Sequence, residues 1–393
     1  MNTNDIYSSF GANEQAIIDK IKNNTLRSII IRLIALKLRL QWTAWLQYLI
    51  LIPAILIIFL LSLIIYLFGG LYLSYAFSSI GILLSIKLLF DIIVVKFNFQ
   101  FPESKPKRND DLDIFDLMRI RHSCRSYQSK MIEEKDLLEL NESINSRLSE
   151  PKFSSQQIRF EYISTPIKVW PVVNAKEFLV AIAPKEYDRL SVLDVGRTLQ
   201  KIVIDATRIG IGTCWIGPGA DHNSITSELA EKFNSNKDNI ICVCAIGYES
   251  KHAPLFIKIF GHQMRKRLPI NTLFFNNYEM NEAIDINHNP YNMFQRSYEA
   301  CQYGPSSYNG QTTRAIVISE NNKVNRIDFL ATTSSKYYAA IASGIWCANW
   351  ELGCEELNLR GEFKKLNDVE TKLADTQKDK EIPIYDMSWV LKN

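Results

Sequence analysis

From Leu40 to Ile86 the chain contains no Asp, Glu, Lys or Arg. A helix needs about 20 apolar residues to cross a bilayer, so this run holds two such helices and a turn. It predicts a transmembrane hairpin over 44–97, with spans near 45–67 and 71–90 joined at Gly69-Gly70. Pro53 falls inside the first span, where membrane helices tolerate it. Lys87 and Asp91, four apart on one helical face, mark the end of the second span; a polar pair acting within the membrane is the alternative. Six cations (Lys20, Lys22, Arg27, Arg32, Lys37 and Arg39) precede the hairpin, and Lys87, Lys96, Lys105, Lys107 and Arg108 follow it. The positive-inside rule then predicts a multi-pass membrane protein with both termini and the soluble part in the cytoplasm. Residues 12–40 alternate basic and apolar positions like an amphipathic helix on the cytoplasmic leaflet, within a segment over 1–43. A cleaved signal peptide does not fit an apolar run that starts so late and extends so far.

The remaining chain, after a polar linker over 98–112, has an α+β pattern. Helices are expected over 114–121, 133–148 and 193–209, and strands over 159–164, 177–183 and 240–247. In the third helix Leu199, Ile202, Val203, Ala206 and Ile209 follow the three-four spacing of a buried face, and Gly210 supplies its C-terminal cap. The plan then recurs: a helix over 291–303, a turn over 305–311, a strand over 314–319, a helix over 337–352 closed by Gly353, and a strand over 382–391. The charged stretch 360–380 reads as a surface helix or loop. Laying Gly353 on Gly210 superposes the two long helices, and Pro151–Arg159 then resembles Pro305–Arg314 in kind. We read this as an internal duplication.

Composition narrows the chemistry. The 393 residues carry a net charge of +3, and no basic stripe interleaves with aromatics, so nucleic acid is not an expected partner. The odd set of seven cysteines lacks any CxxC, which fits reduced thiols, and the five histidines have no metal-ligand spacing, so no metal is expected.

Three motifs carry functional signal. In Arg121-His-Ser-Cys-Arg125, an extended segment would send Arg121, Ser123 and Arg125 to one side, two guanidiniums and a hydroxyl suited to phosphate. Gly210-Ile-Gly-Thr213 follows a helix instead of opening one, so it is not a dinucleotide fingerprint; with Cys214-Trp215-Ile-Gly217 it makes a tight, aromatic loop able to approach a planar ligand. Pro305–Gln311 is a polar turn whose Ser306, Ser307 and Asn309 offer donors and acceptors. Each also has a plain structural reading: a solvated turn, a helix cap, a surface loop. Arg265-Lys-Arg267 is a basic run that reads either as a solvated face or as a further cation for the same phosphate.

In this order the motifs resemble the nitroreductase family of FMN-dependent oxidoreductases, in its tandem form with two fused halves, from about residue 113 to the C-terminus. The resemblance implies a pseudo-dimer of two nitroreductase-like halves, 113–280 and 281–393, with mixed sheets flanked by helices. It assigns FMN phosphate and ribityl contacts to Arg121, Ser123 and Arg125, with His122 counted among them. Gly210, Gly212 and Thr213 would line the isoalloxazine, Arg265 or Arg267 would reach the phosphate, and Pro305, Ser306, Ser307 and Asn309 would supply the turn that a partner subunit contributes in homodimers. Because the first half lacks an asparagine-bearing turn and the second lacks the arginine motif, one FMN per chain is implied, in a chain that is monomeric because its halves mimic a dimer. The implied activity is hydride transfer from NADH or NADPH through the flavin to a nitroaromatic, quinone or similar small-molecule acceptor, with no protein residue assigned as acid or base. The competing readings are a non-catalytic flavin- or nucleotide-binding module tethered to the membrane, and a flavin-dependent reductive dehalogenase or dehydrogenase on the same fold.

Overall fold

The computed structural model describes residues 6, 7, 10, 12–99, 102–217, 219–367, 369, 373 and 383–392. Two compact units result. One comprises Met1–Pro102, Lys168–Val173 and Lys251–Ile259, and the other Glu103–Ile167, Asn174–Ser250 and Phe260–Asn393.

In the first unit the segment expected as one amphipathic helix is two, α1 (Ala12–Asp19) and α2 (Asn24–Trp42). The break comes where Asn23 caps α2 by accepting a hydrogen bond from the Leu26 amide. Phe10 and Ile18 pack on Ile31. Two helices follow that are long and apolar enough to cross a membrane, α3 (Leu46–Leu67) and α4 (Leu71–Lys96). Gly69, at φ +84°, makes the turn between them. Ser62 bonds across the pair to the Ser74 carbonyl at 2.8 Å and to Ser78 at 2.7 Å, while Gly81 lets the Phe59 ring approach closely. The outer faces present Leu56, Leu60, Leu63, Leu73 and Leu83, all more than half exposed. Asp91 does more than mark a helix end. It is buried, pairs with Lys87, and accepts a hydrogen bond from the Leu255 amide at 2.9 Å.

The second unit begins with a segment expected to be a linker, yet it is pinned down. Lys105 bonds Glu133 and the buried Asp136, Arg108 bonds Glu139, and Asn109 donates to the Arg208 and Thr207 carbonyls. Then come α5 (Ile114–Ile120), α6 (Glu134–Ser149), β1 (Arg159–Ile163), β2 (Glu177–Pro184), α7 (Arg189–Ile209), β3 (Gly212–Ile216), α8 (His222–Leu229), β4 (Asp238–Gly247) and α9 (Leu255–Gln263), whose residues up to Ile259 belong to the first unit. The chain continues through β5 (Phe274–Phe275), α10 (Gln295–Gln302), β6 (Thr313–Glu320), β7 (Lys323–Ala331), α11 (Tyr338–Glu356), β8 (Gly361–Lys364) and β9 (Ile384–Leu391). The expected stretch 360–380 and the start of the last strand at Ile382 lie largely outside the described residues.

Two antiparallel sheets have the same connectivity. One is ordered β1-β2-β4-β3; the other is β6-β7-β9-β8, with β5 added in parallel beside β6. In each, a long helix joins the second strand to the third. These helices, α7 and α11, cross so closely that a Cβ on Gly196 would lie 2.4 Å from the Ile341 carbonyl, and one on Gly344 would lie 2.1 Å from the Leu193 carbonyl. The contact is reciprocal: each glycine faces the residue three positions before the other, as in an isologous interface. A single apolar core draws on both sheets, with Trp350 and Trp389 fully buried.

Gly353 does not close the second long helix. α11 continues to Glu356, and Gly353 serves close packing, since a Cβ there would lie 2.8 Å from the Ser297 hydroxyl. The counterpart of Gly210 (φ +90°) is Asn358 (φ +57°). Beyond each, the next amide reaches back five residues, Ile211 to the Ala206 carbonyl at 2.9 Å and Leu359 to the Cys354 carbonyl at 2.8 Å, a C-cap that asparagine also tolerates. The same register pairs Gly196 with Gly344.

Candidate functional site

Segment 121–128 leaves α5 at Arg121 and runs extended beside β3. Ser123 and Thr213 form a parallel bridge, and the Cys124 amide donates to the Thr213 carbonyl at 2.8 Å. Farther along, the Gln128 amide bonds the Tyr248 carbonyl and the Ser250 amide bonds the Ser126 carbonyl. Gly212 is needed here because a Cβ would lie 2.9 Å from the Cys124 side chain. The residues expected to form a loop are therefore strand β3, paired along β4 from Gly212–Gly247 to Ile216–Val243.

Alternate residues of the segment part company. Cys124 is buried. His122 bonds Glu249 at 2.9 Å and the Ile120 carbonyl at 3.1 Å, so its ring is engaged away from the two arginines. Arg121 is only 7% exposed. One of its nitrogens reaches the Tyr303 carbonyl at 3.5 Å, and the other, Nη1, is buried with no hydrogen-bond partner. Arg125 lies over the Phe260 ring at 5.2 Å, with its Nε likewise buried and unpartnered. Burial pushes Arg121 down to about 10, and the neighbouring charges of Arg267 and Arg125 push the same way against Cys214 and Cys244. Ser123 hydrogen bonds Cys214.

The third cation joins this group from the segment after α9. Arg267 donates to Asn309 Oδ1 at 2.6 Å and to the Tyr303 carbonyl at 3.3 Å, and burial lowers its pKa. Asn309 Nδ2 bonds the Lys266 carbonyl, and Gln311 accepts from the Leu268 amide. Ser306 accepts from the Gln311 amide at 2.9 Å, closing the turn after Pro305. Ser307–Asn309 is one turn of 3-10 helix, with Tyr308 at φ +52° and 73% exposed. The turn thus meets the basic run through Arg267. Arg265, two residues earlier, is exposed. Gly210 faces the protein: a Cβ there would lie 2.8 Å from the Lys107 carbonyl. One residue escaped the sequence reading. Tyr303 has a carbonyl that receives both Arg121 and Arg267. Trp215, expected in an aromatic loop, lies on β3 and buries an unpartnered Nε1.

Arg121 thus lies within the field of both Arg125 and Arg267, and none of the three forms an ion pair among the described residues. Buried charge is costly without a counter-charge. The two orphaned nitrogens and the donor set suit a multiply charged oxyanion such as phosphate.

The sequence matches the family described as "Putative TM nitroreductase" over residues 113–353, more than half of the chain. Among solved structures, a protein described as a putative nitroreductase of Thermotoga maritima shares 15% identity, covering 74% of this chain and 98% of that one, with a TM-score of 0.44. An FMN-dependent nitroreductase of Clostridium difficile shares 22% identity over 35% and 88% of the two chains, with a TM-score of 0.29. A nitroreductase with bound FMN from Bacteroides fragilis shares 16% over 37% and 92%, with a TM-score of 0.31. No curated protein matches.

Proposed function

The chain belongs to the nitroreductase family, and on that premise we propose that it is a membrane-anchored, FMN-dependent oxidoreductase. It would pass hydride from NADH or NADPH to a nitroaromatic, quinone or similar small-molecule acceptor. The observation that carries this reading is the unneutralised set of buried Arg121 and half-buried Arg125 and Arg267. The unpartnered Arg121 Nη1 and Arg125 Nε fit a phosphate dianion, and Arg267 ties that charge to the Asn309 turn at 2.6 Å. Arg121 and Arg125 would hold the phosphate from the first half. Arg267 would balance its second charge while fixing the turn, and the β3 edge with Trp215 would lie alongside. FMN held there supplies the hydride-accepting ring, and the protein's part is binding, orientation and exclusion of water.

The repeated sheet order and the reciprocal glycines support two fused halves, 113–280 and 281–393. The first donates the arginine motif and the second the asparagine turn, so one FMN per chain follows, in a monomer. The hairpin 44–97 would anchor the chain in the bilayer with its soluble part cytoplasmic, which suits an apolar acceptor.

The test is the full chain purified in detergent. A yellow protein with a flavin spectrum that oxidises NADH or NADPH when menadione or a nitroaromatic is added supports the enzymatic reading. Flavin without turnover would leave the binding-module reading, and failure to retain or take up FMN would overturn both.

A further inference from the structure

Helix α2 has two apolar faces, and only one is covered. Ile31, with Ile30, Ile34 and Leu38, packs against Phe10 and Ile18. On the far side Leu26, Ile29, Leu33 and Leu36 are each 49–58% exposed. Their three-four-three spacing makes one straight stripe. At about 100° per residue, Arg32 and Arg39 flank it on one side and Lys37 on the other, roughly 60–100° from its centre. All three cations are exposed. Arg27, on the packed side, is instead paired with Asp19 at 3.1 Å. The helix holds four basic residues and no acidic one.

Its position in the chain selects the occupant. α2 ends three residues before α3. There Ala44 (φ +54°) turns the chain, and Lys96 from the end of α4 donates to the Thr43 carbonyl at 2.7 Å while covering the Trp45 ring at 5.3 Å. A tryptophan and a lysine at the base of an apolar hairpin mark the depth of lipid headgroups. We propose that α2 lies in the plane of an anionic lipid surface, with Leu26, Ile29, Leu33 and Leu36 in the acyl boundary and Arg32, Lys37 and Arg39 reaching outward to acidic headgroups. Aliphatic stems of Lys and Arg beside such a stripe stay in apolar contact while their charges meet phosphate or carboxylate. This inference rests on the membrane reading of α3 and α4, and the experiment separates the two.

All seven native cysteines are buried, so single added cysteines can be spin-labelled in the full chain. Leu33→Cys reports on α2 and Leu60→Cys on α3, in vesicles of phosphatidylcholine with or without phosphatidylglycerol. Both labels should collide with oxygen in preference to an aqueous nickel chelate. Adding phosphatidylglycerol should raise that preference at position 33 by about threefold or more, each nearby cation contributing to attraction. The gain should vanish when Arg32, Lys37 and Arg39 are replaced with Gln. A lipid-exposed label at 60 with a water-exposed one at 33 overturns the inference and spares the anchor. Spin–spin broadening at 33 would assign the stripe to a second copy and also overturn it. Water exposure at both positions removes the anchor itself, and the inference with it.

Discussion

Two clusters of buried and half-buried cations in the second unit differ in one respect. Arg197 and Lys201 on α7 meet Glu150 and Glu351, with Arg197 to Glu351 at 2.6 Å and Lys201 to Glu351 and Glu150 at 2.8 and 2.7 Å. Burial alone would raise Glu351, but the Arg197 hydrogen bond and the Lys201 charge hold it below its usual range. Arg121, Arg125 and Arg267 have no such carboxylates. The first cluster is complete within the chain and ties α7 to α11. On the reading proposed above, the second would be balanced by a bound anion. Paired charge here is structure, and unpaired charge is the proposed site.

The largest test of that contrast is Glu351→Ala. It leaves Arg197 and Lys201 to share Glu150 alone and should lower stability by about 3 kcal/mol, read by denaturant unfolding. Arg121→Ala removes a cation that has no internal counter-charge, so apo stability should hold within about 1 kcal/mol or rise. The same change should weaken FMN binding by about 2–3 kcal/mol, roughly 30- to 150-fold, by fluorescence titration. A loss of stability equal to that of Glu351→Ala would erase the distinction.

A third difference is pH. Asp194 accepts the Phe153 and Ser154 amides at 2.9 Å, yet burial outweighs those bonds and raises its pKa from 3.8 to about 6. The folded state then keeps a proton that the unfolded chain releases. This contribution is full below about pH 4 and is lost as pH rises through 6, amounting to about 1–3 kcal/mol. Unfolding followed between pH 4 and 7 should show it, and Asp194→Asn should flatten the slope. The smallest effects sharpen the site boundary. His122→Ala and Arg265→Ala should each change FMN affinity less than about twofold, because the first side chain serves Glu249 and the second is exposed.

Much of this was legible because it rests on local chemistry. The absence of charge exposed the hairpin, the three-four pattern gave α7, and Gly210 capped it. The arginine motif was visible because extended backbone separates Arg121 and Arg125 from His122. What failed depended on neighbours. Gly212–Ile216 looks like a turn by composition but is a strand, since β4 on one side and the Cys124 amide on the other supply hydrogen bonds to it. Gly353 looks like a cap, but it is there for Ser297, and the cap role fell to an asparagine. β7 was missed because Asn325, Arg326 and Asp328 interrupt its apolar run; Asp328 is buried and accepts from Tyr278 and Ser388. Arg265 and Arg267 are equivalent in sequence, and only folding buries one.

The most direct test of the central claim compares FMN with riboflavin, which differ by the phosphate alone. The native chain should prefer FMN by about 100-fold or more, and Arg121→Ala or Arg267→Ala should shrink that preference while leaving riboflavin affinity nearly unchanged. Equal binding of the two flavins by the native chain, or a preference that survives both substitutions, would contradict the assignment of these guanidiniums to a phosphate.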